Sequence, residues 1–116
     1  MATYSKTMLS GSTNGKQIAV IGIGTATATL VHTATSSAGT IDEVWTYASA
    51  QGTAVDVTLC WGGTTYPDDY MTANVPLKAG KILLTDGKLL QGGLQIKAFT
   101  AAGTVIIDGF VNRIIS

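Results

Sequence analysis

Cys60 and His32 are the chain's only thiol and its only imidazole. A cysteine hydrolase would need the two within hydrogen-bonding reach, with a third group orienting the ring. Cys60 lies beside Trp61 in an alternating apolar run with no catalytic signature around it, so it is expected to act as a small packed hydrophobe. His32, near a strand end, is expected at the surface or in a turn. One histidine and one cysteine leave only scattered carboxylates as further metal ligands, and no metal site is expected. Asp68 and Asp69 are adjacent on one backbone and cannot flank a glycosidic bond as paired carboxylates must. "YPDDYMTAN" also lacks the ligand spacing of a calcium loop, which leaves a Pro-Asp turn whose side chain caps nearby N–H groups.

"AVIGIGTATAT" (residues 19–29) begins like a phosphate-binding turn but fails the dinucleotide fingerprint, because Thr27 stands where the third glycine is required. The alternation after Gly24 is that of a strand, so no helix N-terminus follows to hold a pyrophosphate. Gly22 and Gly24 are read instead as a bend between neighbouring strands. Neither Gly80-Lys81 nor Gly87-Lys88 completes a Walker loop. No catalytic residue and no cofactor are therefore expected, and the chain is read as a non-enzyme. Trp45, Tyr47, Trp61, Tyr66 and Tyr70 sit in apolar alternation, which points first to core or subunit contacts. Stacking of Tyr66, Tyr70 or Trp61 on sugar rings keeps a carbohydrate-binding jelly-roll module as the alternative.

The elements that must position these residues have a two-residue period and turn signals, the pattern of an all-β sandwich or barrel. Strand candidates are Lys16 to Gly22, Thr25 to Ala34, Ile41 to Ser49, Thr53 to Trp61 and "MTANVPL", where Pro76 marks an edge or an end. "KILLTDGKLL" reads as a hairpin turning at Asp86-Gly87. Gly93 to Ala101 and Thr104 to Ile115, joined by Ala102-Gly103, are expected to pair as neighbours. In Ile41 to Ser49, Trp45 and Tyr47 share one face and Val44 and Ala48 the other, which suggests burial on both sides. The expected fold is a two-sheet antiparallel β-sandwich, jelly-roll-like, of about eight strands. Residues 1–15 carry little pattern and are assigned to an N-terminal arm; residues 16–116 form a single sandwich domain.

At 116 residues the chain has room for one core. Seven acids balance seven bases, so nothing attracts a nucleic-acid backbone. Charged residues are only 12%, about half the usual share, which is consistent with an exterior partly covered by other subunits. No apolar stretch reads as a secretory signal or a membrane span, and synthesis in a cytosol is expected.

Three runs, "VHTATSSAGTIDEVWTYAS", "VTLCWGGTTYPDDYMTANVPLKAG" and "KAFTAAGTVIIDGFVNRI", resemble small β-sandwich virion proteins of tailed bacteriophages. In these proteins an H-T…G-T…D-E-V-W strand, a W/F-G-G-T…P-D-D turn and a C-terminal G-Y/F-V-N-R-I strand recur. The resemblance covers residues 30 to 115. It implies a capsid cement or decoration protein on the virion surface that binds the major capsid protein, often as a homotrimer, with a terminal arm across subunit joints. Tail or connector accessory proteins share the build and are the other virion reading. Within the arm, Tyr4 and Met8 are the expected partner-binding residues, able to anchor in neighbouring apolar pockets.

Overall fold

A computed structural model describes residues 3–78 and 80–115. Nine strands follow in chain order: β1 Thr3–Met8, β2 Ile18–Val20, β3 Thr29–Thr33, β4 Thr40–Ser49, β5 Val55–Trp61, β6 Tyr70–Val75, β7 Ile82–Leu90, β8 Gln95–Thr100 and β9 Val105–Ile115. The first sheet has the order β1-β9-β4-β7, with β2 also on β9, and the second has the order β3-β8-β5-β6. All these pairings are antiparallel. The pairs β2·β9, β3·β8, β4·β7 and β5·β6 nest first strand with last, as in one long ribbon rolled into a jelly roll. The expected antiparallel sandwich is thus observed, with β1 as an added strand in line with β2 along the edge of β9.

Alternation fixes what faces the core. Val55, Val57 and Leu59 of β5 point inward, as do Val44 and Ala48 of β4 and Val105, Ile107 and Val111 of β9, all buried. A slip of one residue would turn each of these rows to solvent, so burial specifies the register. Pro76 directly follows β6, an edge strand, where its missing N–H costs no ladder bond.

Four expectations are corrected. "KILLTDGKLL" is one strand, β7, rather than a hairpin. Its pairing with β4 shifts register between Val44/Trp45 and between Thr46/Tyr47, and Gly87, at φ 75°, takes up the first shift as a bulge. The strands after Gly92 do not pair with each other: β8 belongs to the second sheet and β9 to the first. Residues 101–104 carry the chain across the end of the sandwich, held by Thr100 Oγ1 donating to Gly103 O (3.0 Å) and Ala101 N to Asp56 O (3.0 Å). The inward rows of β8 and β9 consequently face one another across the core.

The third correction concerns the Thr-Ala run. Thr25–Thr27 form a 3-10 turn and the strand begins only at Thr29. At Gly22 the chain folds back so closely that a Cβ would lie 2.0 Å from Thr27 O, leaving no room for any other residue type. Gly22 and Gly24 therefore serve a crossover between the two sheets, since β2 lies in the first and β3 in the second.

The fourth concerns the expected arm: residues 3–15 are not separate from the sandwich, and residues 1–2 lie outside the described residues. Thr3–Met8 pair with Phe110 to Ile115 of β9, and Leu9 enters the core at 2% exposure. Gly11 N then donates to Val31 O (2.9 Å) on β3. The segment closes one open side of the sandwich, from the edge of one sheet to the edge of the other. Lone polar residues hid this role, because β1 packs by backbone pairing and buries little of its own surface.

Candidate functional site

The outer face of the five-stranded sheet carries several exposed rings and aliphatic side chains, Tyr4, Met8, Leu83 and Leu89 among them. Register places Tyr4 beside Ile114, Lys6 beside Asn112 and Met8 beside Phe110, with Ile41, Glu43 and Trp45 next along the same three rows on β4. Leu89 adjoins Glu43, and Leu83 adjoins Tyr47. Tyr4 is 65% exposed, Met8 55%, Leu89 55% and Leu83 50%. The sequence-predicted partner residues Tyr4 and Met8 thus share one face of β1, four residues apart, as the two-residue period requires.

Several polar groups on this face pair with one another. Trp45 Nε1 donates to Asp86 Oδ1 (2.8 Å), and the Trp45 ring stacks on Phe110 at 4.9 Å with 8° between planes. Lys6 Nζ lies 4.5 Å over the Phe110 ring, and Asn112 Nδ2 donates to Glu43 Oε1 (2.8 Å). Lys81 pairs with Asp108, and that hydrogen bond, helped by the Gly109 N–H and opposed by partial burial, holds the Asp108 carboxyl below the usual range. A partner laid on the face would meet apolar area whose polar groups already have partners, so covering it leaves few hydrogen bonds unmade.

A second cluster is buried. His32 is 1% exposed, not at the surface as expected, and Asp42 is 0% exposed. β3 shifts register between Leu30 and His32, and this bulge lets Val31 and His32 both point inward. His32 Nε2 lies 2.8 Å from Asp42 Oδ2, while the Ser10 backbone N–H donates to His32 Nδ1 (3.0 Å). An Nδ1 that accepts carries no proton, so the ring is the neutral Nε2–H tautomer and donates to Asp42. Asp42 also accepts from Arg113 Nε (2.8 Å), Arg113 Nη2 (3.0 Å) and Thr35 N (3.1 Å). Burial pushes the Asp42 carboxyl up, but hydrogen bonds from Arg113, His32 and Thr35 and the Arg113 charge outweigh it and hold it below the usual range.

These contacts tie together two stretches that are far apart in the sequence. Asp42, Glu43, Val44 and Trp45 stand directly opposite Arg113, Asn112, Val111 and Phe110, so "DEVW" and "FVNR" are cross-strand neighbours. A carboxylate-guanidinium pair, an amide-carboxylate pair, a core valine pair and a ring stack follow in order along β4 and β9. Sequence reading missed the pairing because 71 positions separate Asp42 from Arg113.

Cys60 and His32 are not brought together as a catalytic pair. Cys60 sits at 1% exposure on β5, whose partner β8 separates it from β3, and its neighbours in register are Lys97 and Tyr70. Burial, with the Asp69 charge and against that of Lys97, pushes its thiol up, away from the thiolate that reacts. Native protein at pH 8 is expected to give no colour with a thiol-disulfide dye, and full colour after denaturation. Fast labelling of the native state would contradict this burial.

The loop before β6 is the expected capped turn, with Asp69 Oδ2 accepting from Thr65 N (3.0 Å). Tyr66 and Tyr70 come together on the outer face of the four-stranded sheet, centroids 5.3 Å apart. Trp61 does not join them: its Nε1 donates to Leu89 O (3.4 Å) and Lys88 lies over its ring. Among the described residues, no three or more of His, Cys, Asp and Glu are grouped to hold a metal ion, and no helix is long and apolar enough to cross a membrane. No family model, curated protein or solved structure matches the chain.

Proposed function

We propose that the chain is a non-enzymatic structural protein of a tailed-bacteriophage virion, a cement or decoration protein that binds the major capsid protein and reinforces the shell. The observation that carries this reading is the face formed by Tyr4, Met8, Leu83 and Leu89 around the Trp45–Phe110 stack. A cement protein needs such area repeated over many copies, because multivalent attachment turns modest contacts into a strong sum. The jelly-roll build and the resemblance of residues 30–115 to virion sandwiches support the same reading. Trimers would present identical faces to three-fold related sites on the shell.

Quantitative mass spectrometry of purified virions tests the proposal. The expected result is a copy number comparable to that of the shell protein, with particles lacking the chain rupturing earlier on heating or osmotic shock. A few copies per particle, as for a tail or connector component, would overturn the cement reading. Light scattering of the free protein at high concentration tests the trimer, and a monomer mass removes it.

A further inference from the structure

We propose that the opposite, outer face of the four-stranded sheet is a saccharide-binding site for pyranose oligosaccharides. The inference is independent of capsid binding, since the two faces lie on opposite sides of the sandwich. A groove of about 350 Å³ opens between the β5–β6 and β7–β8 loops, lined by Gly62, Gly63, Thr64, Gly93, the exposed Leu94, Gln95 and Lys97. The want of side chains at Gly62, Gly63 and Gly93 keeps the groove open; the Gly62 N–H donates to Gln95 O (2.9 Å) and the Gly93 N–H to Thr35 O (3.1 Å), so polar contact with a ring falls to the side chains. Thr64 and Gln95 are exposed and supply a hydroxyl and an amide, whose Nε2 also donates to Thr33 Oγ1 (3.5 Å). Lys97 is half-buried and has no ion pair among the described residues, leaving its three donors for a ligand.

Beside the groove runs a ladder of three rings. Tyr66 meets Tyr70 edge-to-face at 5.3 Å, and Tyr70 meets Phe99 edge-to-face at 5.5 Å. Tyr66 is 76% exposed, so contact with Tyr70 orients the ring without covering it. Thr64 of the groove precedes Tyr66 by two residues, and Lys97, Cys60 and Tyr70 lie in one cross-strand row. Groove and ladder are therefore neighbours. A pyranose has an apolar C–H face and a rim of hydroxyls, which matches an open aromatic ring next to a groove that sets Leu94 beside Thr64, Gln95 and Lys97. An apolar peptide would cover Lys97 and Thr64 without giving them partners, and a nucleic-acid backbone would find a single cation there.

The test is an amide-resolved NMR titration of the whole chain with cellohexaose, chitohexaose and hexagalacturonate, each to about 10 mM, a range that detects dissociation constants near 1 mM. The expected result is saturable shifts within 62–70 and 93–99 for at least one probe. Tyr66→Ala removes an exposed ring, leaves the core intact, and should weaken that binding about tenfold. Lys97→Gln should weaken the acidic probe more than the neutral ones. No saturable shift with any probe, undiminished binding by Tyr66→Ala, or shifts mapping to Tyr4, Met8 and Leu89 would each overturn the proposal.

Discussion

Replacing Asp42 by Asn is expected to be among the most destabilising single changes in this protein, lowering Tm by about 10–20 °C. The carboxylate is fully buried and accepts from Arg113, His32 and the Thr35 backbone. An amide offers one accepting oxygen where two served, and turns an NH2 group toward donors. Breaking a buried ion pair by removing one partner costs about 3–5 kcal/mol, because the other charge is left uncompensated. In a domain of this size each 1 kcal/mol shifts Tm by about 4 °C.

The same carboxylate sets an acid limit. Its folded-state pKa is depressed, so its contribution is fully present above the unfolded value, near 3.9, and is lost as pH falls through the lower folded value. Wild-type stability should fall as pH drops below about 4, and the Asn variant, already without the charge, should fall less over that interval. Thermal melts of both proteins from pH 6 down to pH 2.5 check this. A variant that melts like wild type at neutral pH would show that Asp42 does not anchor the fold.

The second large effect separates docking from folding in the N-terminal segment. Deleting residues 1–12 is expected to unfold the protein or lower its Tm by more than about 15 °C. The deletion removes Leu9 from the core, at about 2–5 kcal/mol for a buried leucine. It also removes the Ser10 N–H from His32, the Gly11 N–H from Val31 O, and the Ser10 Oγ that accepts from Thr33 N (2.6 Å). Simple truncation of an arm thus cannot test partner binding here. Tyr4→Ser with Met8→Ser can, because both side chains are exposed and β1 holds by its backbone. The double variant should melt within about 3 °C of wild type and bind capsid shells at least about tenfold more weakly. Equal binding in a shell cosedimentation assay would exclude this face as the docking surface.

Much of the fold was legible because burial on one face leaves a two-residue period in the sequence. Val55, Val57 and Leu59 announced an inward row, Pro76 an edge, and the Asp69 turn its own cap. Hairpins were less legible. Asp86-Gly87 has the residues of a tight turn, yet a bulge uses a positive-φ glycine equally well, and local chemistry does not distinguish the two. The same limit made Ala102-Gly103 look like a hairpin when it is a crossing between sheets.

The candidate docking face was legible only in part. Tyr4 and Met8 stood out as apolar residues in a polar segment, and their shared face follows from spacing alone. Their company of Phe110, Trp45, Leu83 and Leu89 does not, because strand order is set by nested long-range pairing that local period does not encode. Tyr66 and Tyr70 were recognisable as a pair, but Phe99 and Lys97 joined them through β8.

The residues alone settled the β class and the inward rows, since each depends on near neighbours and on the geometry of one strand. In "AVIGIGTATAT" the missing third glycine argued against a dinucleotide loop, while the strand expected straight after Gly24 begins only at Thr29, beyond a 3-10 turn. That this stretch crosses from one sheet to the other, and that His32, Asp42 and Arg113 meet inside, depended on which strands lie side by side. That arrangement comes from burying one shared core, a property of the whole chain that no short stretch carries.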